Sequence, residues 1–228
     1  MADPATTALG ARGETRIEQP NPRQRAIARR AAESRATVPD VELTTDVDMQ
    51  APLTMLAHQA SITAMLVRSC ALALRAVPRA NAAYRDGRFE LYSRINIGVT
   101  IATEDAYVIP TVFDADRKSL AQCNAVLDDL LLRARAGELA PPELSGATFT
   151  VTDLGAHGIA AASTMITPSQ AAALTTGSIR ELPVVRDGAL LGTPALTLTL
   201  TCDHRILYWA QAAALLRRIA ELLSGAAL

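Results

Sequence analysis

The sequence predicts a single α/β domain. Helix-forming stretches alternate with short runs of β-branched residues, half of the 228 residues are apolar, and neither an internal repeat nor a linker divides the chain. A chain this long buries a full core without covalent staples. Its 22 basic and 23 acidic residues leave a formal charge of -1, which removes the electrostatic footprint of a nucleic-acid or anionic-membrane binder; neither partner is expected. Cys70, Cys123 and Cys202 are odd in number and form no C-x-x-C pair, so neither a disulfide framework nor structural zinc is indicated and a reducing cytoplasm fits. Lys118 is the only lysine. Any Schiff-base, phosphate-loop or lipoylated lysine would have to be this one, and its charged surroundings, Asp114 to Lys118, read as a solvated loop.

Residues 1–22 lack an apolar period and read as a loose arm ahead of a domain over 23–228. Nothing resembles a secretory leader, because Asp3, Arg12 and Glu14 interrupt any apolar core. Arg23 to Ala36 is rich in helix formers and stops at Val38-Pro39. A strand follows near Val41 to Val47. Leu53 to Val77 reads as one long buried helix ended by Pro78; His58, Gln59, Arg68 and Arg75 within it argue against a membrane span. Phe89 to Tyr92, Ile95 to Thr103 and Val108 to Phe113 predict strands. Ser119 caps a helix to Ala136. Further strands are predicted at Ala147 to Thr152, Ala172 to Ile179, Leu182 to Val185 and Ala189 to Leu191. The clearest alternation, Leu196 to Thr201, puts leucines on one face and threonines on the other. A helix from about Tyr208 to Leu223 closes the chain.

The three histidines, His58, His157 and His204, show no metal-ligand spacing, so no metal is expected. His58 reads as structural and His157 as a surface residue. His204 ends the strongly patterned strand, where a side chain can be held rigidly and still be reached.

Four segments carry a resemblance. They are Arg25 to Arg30, Asn96 to Thr103, Val108-Ile109-Pro110 with Ala115 to Leu120, and the pair Phe149 to Gly155 and Asp203-His204-Arg205. In this order and spacing they resemble the catalytic domain of the dihydrolipoamide acyltransferases of 2-oxoacid dehydrogenase complexes, over some nine-tenths of the chain. The resemblance implies a chloramphenicol acetyltransferase-like two-layer sandwich, with a mixed β-sheet packed against helices. It also implies acyl transfer from acetyl-CoA as co-substrate, with no permanently bound cofactor. His204 is then the general base and Thr152, 52 positions earlier, the hydroxyl that stabilises the oxyanion.

The chain departs from the family where His-Arg-x-x-Asp-Gly is usual. Tyr208 and Trp209 replace the last two residues, which leaves a family arginine without its charged partner. The two aromatics form a wall of an altered acceptor pocket, record decay of the site, or pack into the core. With about 22 residues ahead of the core and no lipoyl hairpin, the swinging arm is expected to be absent. The acceptor implied is a hydroxyl of a small secondary metabolite, since stand-alone relatives resembling this chain acetylate a hydroxymethyl group on a tetronate ring. Two rivals stay open: a detached core served by a lipoyl or acyl-carrier protein in trans, and a catalytically silent assembly subunit. The resemblance implies a homotrimer whose sites lie between subunits, free rather than built into a larger core.

Overall fold

A small antiparallel hairpin, β1 (Ala8–Gly10) and β2 (Gly13–Thr15), comes first in the computed structural model, which describes residues 8–56, 60–186 and 188–225. Helix α1 (Pro22–Thr37) begins at a capping box: the Asn21 side chain accepts from the Gln24 amide, and the Gln24 side chain accepts from the Asn21 amide, both at 2.9 Å. Only Ser34 of α1 is buried; its hydroxyl donates to the Ile166 carbonyl at 2.8 Å. Strand β3 (Asp40–Asp48) follows.

The single helix expected from Leu53 to Val77 is two helices, α2 (Gln50–Leu56) and α3 (Ile62–Ala76). Ser61 starts the second, its hydroxyl accepting from the Ala64 amide at 3.2 Å. His58 lies outside the described residues. Next come β4 (Ala82–Arg85) and β5 (Arg88–Leu91), turning through Asp86 and Gly87 at φ 50° and 75°. The run Ile95 to Thr103 yields β6 (Ile97–Val99) and β7 (Ile101–Ala102). Val108 to Phe113 likewise divides into β8 (Tyr107–Val108) and β9 (Thr111–Val112), because Pro110 has no amide to continue a ladder. Helix α4 (Leu120–Ala136) has the predicted Ser119 cap, boxed with Gln122.

Strands β10 (Phe149–Asp153), β11 (Ala172–Thr176), β12 (Arg180–Arg186) and β13 (Ala189–Asp203) precede α5 (Trp209–Gly225). The two strands expected within 189–201 are one. β13 pairs along one edge with β12 and then β11, and along the other with β3; the sheet continues through β10, β6 and β9. It is mixed: β10 is parallel to β11 and β6, and the remaining pairings are antiparallel. Leu196, Leu198 and Leu200 are fully buried and belong to one core with α3 and α5. The threonines between them are buried too.

Register aligns those threonines with others. Thr152 lies opposite Thr175, Thr175 opposite Thr199, and Thr199 opposite Thr44, while Thr100 meets Thr152 on the other side. Directly opposed residues share a face, so four strands, with Thr100 just past the end of β6, place one row of hydroxyls across the sheet.

Candidate active site

Asp203 ends β13 and fixes the turn that holds His204. Its carbonyl accepts from the amides of Ile206 and Leu207, both at 2.9 Å, while the His204 amide donates to Pro39 at 2.9 Å. The Asp203 carboxylate, only 1% exposed, takes the Arg205 guanidinium at 2.6–3.2 Å and the Arg205 amide at 3.0 Å. Those bonds raise Arg205 above the usual guanidinium range.

The His204 ring is half-buried, with Nδ1 3.2 Å from the Leu207 carbonyl oxygen. A carbonyl can only accept, so Nδ1 carries the proton in this bond and Nε2 keeps a lone pair. That tautomer is a base aimed away from its own backbone.

Tyr208 and Trp209 flank the imidazole at ring-centroid distances of 5.9 and 5.3 Å. They are 51% and 57% exposed; of the three readings the sequence allowed, packing into the core is thereby excluded. Arg79, which sequence reasoning missed, stacks 3.9 Å over Phe89 and lies 5.9 Å from the Tyr208 ring. It makes no ion pair among the described residues.

Thr152 sits near the C-terminal end of β10. Its Oγ1 lies 2.8 Å from Oγ1 of Thr100, a partner visible in the sequence only as part of the Asn96 to Thr103 segment. Neither hydroxyl has another partner among the described residues. One shared bond uses one of their two protons, and the other is free to point outward.

Within one chain His204 and Thr152 are not brought together. From Thr152 the register steps across two strands to Thr199, and His204 lies five residues further along β13. At ~4.8 Å between strands and ~3.3 Å per residue the two Cα atoms are roughly 19 Å apart, at opposite ends of the sheet. A cavity of about 610 Å³ between α1 and the starts of β6 and β10 touches neither residue. His157 is an exposed residue in the turn after β10. No group of three or more metal-ligating side chains occurs among the described residues.

The model of the 2-oxoacid dehydrogenases acyltransferase (catalytic domain) family matches residues 12–228. The chain belongs to that family. It is 34% identical over 201 residues to the dihydrolipoyllysine-residue acetyltransferase component of the pyruvate dehydrogenase complex of Zymomonas mobilis, covering 84% of this chain and 46% of that protein. It thus spans about half the length of the curated relatives it matches. Among solved structures, a probable dihydrolipoamide acetyltransferase from Listeria monocytogenes superposes with TM-score 0.85 at 26% identity, covering 94% of this chain and 96% of the other. The dihydrolipoamide acetyltransferase of Azotobacter vinelandii, studied for the role of a serine, a histidine and an asparagine in its catalytic mechanism, also gives 0.85, at 25% identity and with 98% and 97% covered. Chloramphenicol acetyltransferase, at TM-score 0.55 and 12% identity, shows the shared fold alone. The acyltransferase fold expected from the resemblance is therefore the fold of this chain. In the described residues of this acyltransferase domain no helix is long and apolar enough to cross a membrane.

Proposed function

We propose that this chain is a CoA-dependent O-acetyltransferase acting on a small hydroxyl compound, with His204 as base and Thr152 as oxyanion donor. The observation that carries the assignment is the 3.2 Å contact of His204 Nδ1 with the Leu207 carbonyl oxygen, which supports the tautomer with its lone pair on Nε2. Spacing supports it. In the A. vinelandii enzyme the histidine follows the serine by 52 positions and precedes the asparagine by four; here His204 follows Thr152 by 52 and precedes Tyr208 by four.

Nε2 takes the acceptor's proton as its oxygen attacks the thioester carbonyl, a C–O bond forms, and negative charge gathers on the carbonyl oxygen. Thr152 donates its hydroxyl proton to that oxygen while Thr100 donates to Thr152. Collapse breaks the C–S bond, and the CoA thiolate leaves with the proton from the imidazolium. Because the two groups are about 19 Å apart in one chain, the site forms between neighbouring copies. The assembly proposed is a homotrimer of the domain spanning 23–228. Three buried free cysteines agree with a reducing cytoplasm.

The acceptor reading rests on Tyr208 and Trp209, which surround the base with apolar surface. A second reading, a dihydrolipoyl acceptor presented in trans, is favoured by the names of the relatives. Incubation with acetyl-CoA and either dihydrolipoamide or a panel of small alcohols separates them by product. Turnover that survives His204→Ala overturns the role of His204, and no thioester consumption with any acceptor overturns the assignment and leaves the silent subunit.

A further inference from the structure

Arg79 stands beside the proposed base with no partner for its Nη groups among the described residues. Its Nε donates to the Ile206 carbonyl at 3.0 Å, inside the turn that carries His204. The 5.9 Å from its guanidinium carbon to the Tyr208 ring and the 5.9 Å from that ring to the imidazole keep it within about 12 Å of the base. Neighbouring arginines have acidic partners: Arg205 holds Asp203, Arg85 holds Glu90 and Arg94 holds Asp114. Arg79 has none among the described residues. Phe89 covers one face of its plane, so what it offers is its in-plane edge with both Nη groups, the geometry that takes a carboxylate through two parallel bonds.

We infer that the acceptor is an anion: a hydroxy compound whose carboxylate, or a planar oxyanion of similar shape, binds Arg79 while its apolar body lies on Tyr208 and Trp209. The inference rests on His204 being the base that the acceptor must reach. Arg79 is then a specificity residue, and a neutral acceptor would leave its fork facing nothing.

Trp209 is the only tryptophan in the chain, so its emission reports occupancy beside His204 independently of turnover. The full chain is titrated with 4-(hydroxymethyl)benzoate and with its methyl ester, which differ at the end opposite the hydroxyl by the charge and one methyl group. The acid is expected to bind roughly ten- to a hundredfold more tightly, the range of a charged hydrogen bond. In Arg79→Met that preference disappears while ester binding is unchanged, and Arg79→Lys keeps part of it. Dihydrolipoate against dihydrolipoamide repeats the comparison for a thiol. Equal binding of acid and ester, a preference that survives in Arg79→Met, or no response to the acid at millimolar concentration overturns the inference. Loss of thioester turnover with the charge preference intact would instead count against the acyl-transfer reading alone.

Discussion

In the proposed site, Thr152 and Thr100 divide one task between two hydroxyls joined at 2.8 Å. If Thr152 points its proton at the developing oxyanion, Thr152→Val lowers kcat about 10²–10³-fold, ~2.7–4 kcal/mol, with KM for acetyl-CoA little changed. Thr100→Val removes the donor behind it, worth ~1 kcal/mol, and lowers kcat about fivefold. Added to Thr152→Val it has no further effect, because its action passes through that residue. Steady-state kinetics of the two single variants and the double decide this. The position of His204 at the end of an alternating strand was legible, while its proposed role came from the family resemblance. Arg79 and Thr100 were not legible, because their roles depend on rings and a strand edge distant in sequence.

At the scale of elements, helices whose ends carry their own signals were legible: α1 stops at Val38-Pro39 and α4 starts at Ser119. Strands were legible at 95–103 and 108–113, but not their division, which follows from β7 and β8 pairing with each other while β6 and β9 pair in the main sheet. The merging of 189–203 into one strand comes from partners: β12 pairs across the apparent break at Gly192 to Pro194, and β3 takes over from Ala195.

The turn at 141–144 is held to α4 by an ion pair. Arg133 meets both Glu143 oxygens at 2.6 and 2.8 Å, and together with the Ala140 amide lowers that carboxyl to about 2. A depressed carboxyl stabilises the fold above its unfolded value of ~4.3, and the contribution is lost as pH falls toward 2. Glu143→Gln should therefore lower Tm at pH 7 and leave it unchanged at pH 2, as thermal melts at both values would show. A tighter contact lies at Gly177, where an added Cβ would sit 2.0 Å from the Ala160 carbonyl oxygen. Gly177→Ala forces that backbone apart and lowers stability by about 1–3 kcal/mol, roughly 2–12 °C in Tm by calorimetry.

For the whole molecule, a base and an oxyanion donor at opposite ends of one sheet make a specific demand on assembly. His204→Ala and Thr152→Val chains, each inactive alone, regain activity when refolded together, because one supplies the intact threonine and the other the intact histidine. Random mixing at equal amounts restores about one quarter of wild-type turnover, as each site draws its two halves independently. Recovery near zero would place both groups of each site in the same chain.

The threonine row and the histidine turn are both fixed by β13, so each protomer is directional, with a head and a tail that do not match themselves. If the proposed site is shared, a head-to-tail contact between two copies completes one centre and leaves an unmatched half on each, whereas a closed assembly, a ring or a two-fold pair, completes one centre per chain. A shared site thus demands closure.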